Sequence, residues 1–360
     1  MPGDFDARLA ALQQGWPMPS APRPITILGA GGIVRDGHLP AYRKMGLPVA
    51  GVFDIDRNAA GKLAADFGVD TVHDTLDAAL AACGREGVFD LALPPTAILG
   101  TVERLPQGSV ALIQKPLGPD LSVARQIVDA LDARGVTAAT NFQLRFTPSM
   151  LAIRDAVRRG LLGEIVDVEV RLAVYMPWEL WSFIPKLDAV EIPLHSIHYL
   201  DWIRSTFGEP ESVYAKAVKH PRYATQADAR SSIILDYGDR IRCALSLNHT
   251  YAFGPDHVEA TIRVEGTQGA AHLTVGYLVD YIRPVPERLE FVTQGESWTE
   301  LPLQGERVPD AFGFVMANLQ RFANGEDAVL DTDVHDSVRT MALVDAALRS
   351  SRQGGVRPEF

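Results

Sequence analysis

The stretch Ile25–Asp54 constrains this chain more than any other. It reads ITILGAGGIVRDGHLPAYRKMGLPVAGVFD. Ile25, Thr26, Ile27 and Leu28 form a short apolar run rich in β-branched residues, as a buried parallel strand requires. Gly29, Gly31 and Gly32 follow at once. A strand running into such a turn and then a helix opens a dinucleotide-binding βαβ unit. Gly29 permits the tight turn, and Gly31 lets the backbone approach a pyrophosphate. The amides that open the helix, Ile33 among them, face that anion. A second apolar run, Val49 to Phe53, ends in Asp54. That acid lies about 20 residues past the turn, where a ribose-binding carboxylate is expected. It would repel a 2′-phosphate, so the expected cofactor is NAD; Arg57 nearby keeps NADP possible. The third glycine of the usual turn falls at Val34, which should hold the helix off the strand or force local repacking.

Beyond Asp54 strand and helix patterns alternate as far as Asn141. Helices are expected over 57–67, 76–83, 98–105 and 123–133, and strands near 72 and over 88–93, 109–113 and 136–139. This order implies a parallel, doubly wound sheet. The later part differs. A helix over 148–159 and a strand over 165–175 lead to a loop carrying Trp178, Trp181 and Phe183. A helix follows over 195–207. Strands then come without intervening helices, over 212–217, 231–235, 240–247, 258–265 and 270–275. Helices over 311–322 and 334–348 close the chain. The expected fold is therefore an N-terminal Rossmann α/β domain followed by an α+β domain with an open, mostly antiparallel sheet. The boundaries fall at 1–23 for a proline-rich arm, 24–143 for the Rossmann domain and 144–360 for the second domain.

With 360 residues the chain is long enough for two cores. No run reaches the length of a membrane span, and the start lacks the basic and apolar segments of a secretory signal. A net charge of −11 argues against nucleic acid or an anionic membrane as partner. Cys83 and Cys243 lie far apart and form no disulfide framework, which fits a reducing cytoplasm.

Taken together, the chain resembles the Gfo/Idh/MocA family of NAD(P)-dependent oxidoreductases, from Pro24 onward. Gly29-Ala-Gly31-Gly32 with His38-Leu39-Pro40 resembles the family's first turn and helix. Gln114-Lys115-Pro116-Leu117 resembles its Glu-Lys-Pro signature, and His198-Tyr-Leu-Asp201 its His-x-x-Asp helix. Glu265-Gly266-Thr267-Gln268-Gly269 resembles a turn of its sheet. Gln114 departs from the common glutamate, Ile98 from a histidine and Leu194 from an aspartate. The resemblance implies hydride transfer between nicotinamide and a secondary alcohol of a sugar, cyclitol or sugar acid.

Lys115 ends a sheet strand, where ligands bind in doubly wound folds, and is the first candidate to move the proton. Burial would bring its pKa down from the free value of about 10.4. His198 is the second, able to act as acid or base near neutrality. His195 shares a helix face with His198 and is a candidate substrate ligand. Glu191, His195 or a residue from elsewhere would replace the carboxylate missing at Leu194. Asn141 and Arg145 follow the last strand of the Rossmann part; Arg145 either binds substrate or pairs with a carboxylate. Trp178 and Trp181 either wall a sugar site or fill an interface core. Pro94 and Pro95 end a strand where the cofactor should pass. Glu191, His195 and His198 also suggest a zinc site, but Pro193 should break the helix between the first two, so no metal is expected. Two other functions stay open: an NAD-assisted glycosidase or lyase without net redox, and a non-catalytic regulator that binds dinucleotide and sugar. The open sheet should leave an apolar face, which predicts a homodimer or homotetramer through it.

Overall fold

The computed structural model describes residues 2–178, 184–223, 227–276 and 285–355. They form two compact units. The first comprises 15–147 and 308–341, and the second the described parts of 1–14, 148–307 and 342–360. The expected boundary near 143 thus misses one exchange: a late segment packs with the early half. Its helix carries Ala311, Phe312, Val315, Met316 and Leu319, which are buried in one core with Val34, Tyr42, Val52 and Leu112. The arm divides as well. Helix α1 (Pro2–Ala10) belongs to the second unit. Residues 15–23 are tied to the first by Trp16 Nε1 donating to Asp327 (2.8 Å) and Arg23 Nε donating to Asn324 Oδ1 (2.9 Å).

The first unit holds β1 (Ile25–Leu28), β2 (Val49–Phe53), β3 (Val88–Leu91), β4 (Val110–Ile113) and β5 (Thr137–Thr140). They are parallel, in the order β2-β1-β3-β4-β5. Every residue of β1, β3 and β4 is buried, which explains why they are apolar apart from Thr26 and Asp90. The strand expected near Val72 is a single bridge to Val52. Five helices connect the strands: α2 (Leu39–Met45), α3 (Arg57–Phe67), α4 (Leu76–Cys83), α5 (Pro95–Val102) and α6 (Leu121–Ala133). The Val34 departure has a local cost in regularity. Val34 is fully buried, and the chain opens as a π-turn over Val34–His38 before α2 begins. Close packing moves to Gly37, where a Cβ would lie 2.9 Å from the ring of Phe312.

The second unit adds α7 (Pro148–Arg158) and β6 (Ile165–Ala173), then α8 (Ile197–Phe207). Strands β7 (Ser212–Val218), β8 (Arg230–Asp236), β9 (Arg242–Asn248), β10 (Glu259–Gly266), β11 (Gly269–Thr274), β12 (Arg288–Thr293) and β13 (Thr299–Leu301) follow. The sheet order is β13-β12-β11-β10-β6-β9-β8-β7, antiparallel except for the parallel pair β6–β9. The sequence reading missed β12 and β13. Helices α9 (Asp310–Ala323) and α10 (Val334–Gln353) complete the chain.

The open face of this sheet corrects the apolar expectation. Tyr214, Ile234, Ala244, Glu169, Arg263, His272, Glu290 and Glu300 stand in register across it. Only its β7–β8 end is apolar; the remainder is laced by Arg263–Glu169 (3.1 Å), Arg171–Glu259 (2.7 Å) and Arg288–Glu300 (2.9 Å). Strand alternation lets the sequence place charges at every outward position, so absence of covering helices did not imply an apolar surface. Both cysteines are buried and free. Burial pushes Cys83 up to about 11 and Cys243 up to about 12, so both stay thiols at neutral pH. Among the described residues no helix is long and apolar enough to cross a membrane.

Candidate active site

In the first unit the glycine turn is tight at Gly29 and open at Gly31. Gly29 has φ +112°, and a Cβ there would strike the carbonyl oxygen of Ala92 at 2.3 Å. A Cβ on Gly31 would meet nothing within 4 Å, so that backbone faces open space. Gly32 is exposed and Ile33 half-buried beside it. Asp54 is fixed against the turn. Its Oδ2 accepts from Ala30 N (2.6 Å) and its Oδ1 from Asp56 N (2.7 Å). Ile55 follows and is 96% exposed, an apolar side chain that the sequence reading passed over. Arg57 begins α3 and forms an exposed ion pair with Asp74 (2.5 Å). Pro94 leaves β3 extended, at φ −57° and ψ 146°, and Pro95 starts α5.

Lys115 lies just past β4 and is half-buried. Burial lowers its pKa to about 8. Behind it runs a chain of buried hydrogen bonds. Asn141 Nδ2 donates to Gln114 Oε1 (2.9 Å) and to His38 Nε2 (3.1 Å). His38 therefore carries its proton on Nδ1 and donates it to Asp90 Oδ2 (2.7 Å). Tyr42 Oη donates to the same oxygen (2.7 Å). Burial, followed by the Asp90 charge, pushes the Tyr42 phenol well above its usual range. Asn141 is wholly buried inside this chain, so it holds Gln114 and His38 rather than offering an open contact. Arg145 is put to another use than substrate contact. It is 2% exposed and donates to Asp336 Oδ2 (2.7 Å) and the Asp331 carbonyl (2.7 Å), tying 331–336 into the unit. Replacing Arg145 with methionine should lower the thermal midpoint by several degrees, about 2–4 kcal/mol, because Asp336 and a carbonyl lose their donor. A scanning melt of the variant checks this; an unchanged midpoint would show that the pair carries no stability.

In the second unit Pro193 does not break the helix. Glu191–Ser196 forms a π-turn that runs directly into α8, and its wider turn accommodates the proline. Glu191, His195 and His198 thus lie on one continuous helical run. Glu191 is fully buried. Its Oε2 accepts from His249 Nδ1 (2.9 Å) and its Oε1 from Ser196 Oγ (3.2 Å). The amides of Val190 and Glu191 donate to Asp228 Oδ1 (2.9 and 2.5 Å). Burial raises the Glu191 carboxyl, with His249 pulling the other way. His195 is half-buried, its ring 4.4 Å from that of His249 and 4.9 Å from that of Trp178. Trp178 is 3% exposed and sits in an apolar cluster with Ile184, Val190 and Ala229, with Leu194 packed against it. It is core and not an open stacking wall; Trp181 lies outside the described residues. His198 is half-buried one turn beyond His195. His249 is the residue the sequence reading missed. The one available signal was the polar triplet Asn248-His249-Thr250 ending an alternating strand.

The comparisons place these features among known proteins. The family model of the GFO/IDH/MocA C-terminal domain matches residues 150–272. The chain is 26% identical over 344 residues to the D-apiose dehydrogenase of Paraburkholderia graminis, covering 91% of this chain and 87% of that one. It is 25% identical over 334 residues to the inositol 2-dehydrogenase of Rhizobium meliloti, covering 90% and 95%. Its fold is similar to that of an oxidoreductase from Agrobacterium radiobacter crystallised in complex with NAD+, L-tartaric acid and magnesium. That likeness has a TM-score of 0.77 at 20% identity, over 93% of this chain and 98% of the other. Residues 150–272 thus match the C-terminal domain of the Gfo/Idh/MocA oxidoreductases, and most of the chain is similar to dehydrogenases at 25–26% identity.

Proposed function

We propose that this protein is an NAD-dependent dehydrogenase that moves a hydride between nicotinamide C4 and a secondary alcohol of a sugar, cyclitol or sugar acid. The observation that carries the reading is Lys115, a half-buried amine with its pKa lowered to about 8, on the same sheet end as a glycine turn open to a pyrophosphate. Similarity to dehydrogenases of D-apiose and inositol supports the substrate class, and a similar fold crystallised with NAD+ supports the cofactor.

When bound, NAD+ supplies the hydride acceptor. The open backbone at Gly31 admits the pyrophosphate, and Asp54, already fixed by Ala30 and Asp56, accepts from the ribose hydroxyls. Ile55 offers its bare side chain to the base. Pro94 and Pro95, a rigid pair at the start of α5, would line the path of the bound cofactor. Lys115 takes the hydroxyl proton as the neutral amine, and His198 hydrogen-bonds the reacting oxygen. Arg57, engaged with Asp74, is a weak candidate for a 2′-phosphate, so NAD is preferred over NADP. A reducing cytoplasm suits the two buried thiols. Assembly as a dimer or tetramer through the second unit's sheet belongs to the same proposal. Its charged face makes that assembly salt-sensitive, which light scattering across a salt series would reveal.

The test is to incubate the protein with NAD or NADP and a panel of monosaccharides, inositols and sugar acids, and to follow reduced nicotinamide. Turnover with one group of polyols and a preference for NAD is expected. Cofactor binding without any turnover would favour the non-redox or sensor function. Gly31→Ala gives a second check. The methyl group meets no protein atom, so the melting temperature should hold, but it enters the pyrophosphate's space. NAD affinity should then fall by about tenfold or more, roughly the loss of one charge-assisted hydrogen bond. Unchanged affinity in a binding titration would remove the turn from the cofactor site.

A further inference from the structure

The second unit buries a polar cluster that packing alone does not require. Glu191, Ser196, Ser231 and His249 are all buried and linked: Ser196 Oγ lies 3.2 Å from Glu191 Oε1 and 3.1 Å from Ser231 Oγ. Taking a carboxylate and an imidazole out of water costs several kcal/mol before pairing, and apolar residues would fill the same space without that cost. The cluster instead fixes one ring. His249 N donates to the Ala229 carbonyl (3.1 Å), and the His249 carbonyl accepts from Met176 N (3.2 Å) and Trp178 Nε1 (3.2 Å). Glu191 then holds Nδ1, so neither the backbone nor the ring of His249 is free to turn. The His249 ring lies against His195 at 4.4 Å with a tilt of 51°, and Trp178 meets His195 edge-on at 71°. His249 of the cluster and Trp178 beside it thus bracket His195, which of these three side chains is the one that reaches solvent.

We propose that Glu191 and His249 are positioning residues for His195, and that His195, held by them, hydrogen-bonds a hydroxyl group of the polyol substrate. This rests on the dehydrogenase reading. Leu194, packed into the apolar cluster, cannot make such a contact, and the neighbouring imidazole takes that task. Ser196 completes the carboxylate's hydrogen bonding and is itself held by Ser231, while Asp228 holds the backbone of the π-turn that carries both Glu191 and His195.

The test uses the double variant Glu191→Met/His249→Leu, the single variant His195→Asn, and their combination. Replacing both partners of a buried hydrogen-bonded polar pair by apolar residues of similar size is often neutral or stabilising, so the double variant should melt at or above the wild-type temperature. Its KM for the best polyol should nonetheless rise about tenfold, the size of one hydrogen bond, with a smaller fall in kcat and unchanged NAD binding. His195→Asn should raise KM similarly, and the combination should be no worse than either, because all act through one contact. Binding of myo-inositol and D-glucose, followed by saturation-transfer NMR, reads the same contact without turnover. A wild-type KM in the stable double variant would overturn the proposal, as would fully additive effects. A wild type that binds these polyols without producing NADH would overturn the dehydrogenase reading alone, and the variants' binding would still decide the role of His195.

Discussion

Replacing Lys115 with methionine should lower kcat by about 10²- to 10⁴-fold, the range lost when a positioned acid–base group is removed. Methionine keeps the apolar stem that packs after β4 and removes only the amine. NAD binding and the thermal transition should therefore change little. The pH dependence separates this from a general loss of structure. Burial brings the Lys115 amine from 10.5 to about 8. The neutral amine accepts the hydroxyl proton, so alcohol oxidation should rise with pH through a limb near 8. Ketone reduction needs the protonated amine and should fall with pH as that amine loses its proton. The positive charge of oxidised nicotinamide disfavours a second cation, so the limb in kcat for oxidation should lie below the limb for reduction and below the limb in kcat/KM for NAD. Profiles of the wild type and of Lys115→Met, measured in both directions, check the sign. If the limb survives in the variant, another group owns it, His198 first, and Lys115 leaves the mechanism.

How much of this was legible in the sequence follows from what the interactions depend on. The parallel sheet was readable because β1, β3 and β4 are buried on both faces, which forces runs such as Val110–Ile113 to be apolar throughout. That Asp54 would lie against the glycine turn was readable because the distance from turn to acid is set by one βαβ unit. The packing of 308–341 with the early half was not readable. An amphipathic helix records that it has a buried face, but not which core receives it. The apolar open face failed for a similar reason: counting helices gives coverage, whereas the outward residues of β6, β10 and β12 decide polarity. Asn141 could be picked out by its position after a strand, but that position does not reveal that both of its amide protons are spent on Gln114 and His38. His249 escaped because its partner Glu191 is 58 residues away and no spacing rule connects them. The π-turn at Glu191–Ser196 escaped because Pro193 normally signals a helix break.

Asp90→Ala should lower the thermal midpoint by about 6–12 °C, corresponding to about 3 kcal/mol, because it strands two buried donors at once. His38 Nδ1 and Tyr42 Oη both donate to Asp90 Oδ2 at 2.7 Å, and all three residues are fully buried. Neither donor reaches bulk solvent, so each one left without its acceptor suffers its own desolvation. Asp90→Asn should cost less than half as much, because the amide oxygen accepts both bonds and the buried charge is removed. The order Ala worse than Asn is the discriminating result. Equal losses would mean that the carboxylate's charge matters and its geometry does not. The substitution also reaches the proposed chemistry. Once His38 loses Asp90, its tautomer is no longer fixed, and Nε2 ceases to be a dependable acceptor for Asn141. Asn141 then holds Gln114 less firmly, directly before Lys115. Asp90→Ala assayed well below its melting point should therefore lose kcat beyond what unfolding explains, whereas Asp90→Asn should keep most of it. Full activity in folded Asp90→Ala would confine this buried chain to stability and separate it from Lys115.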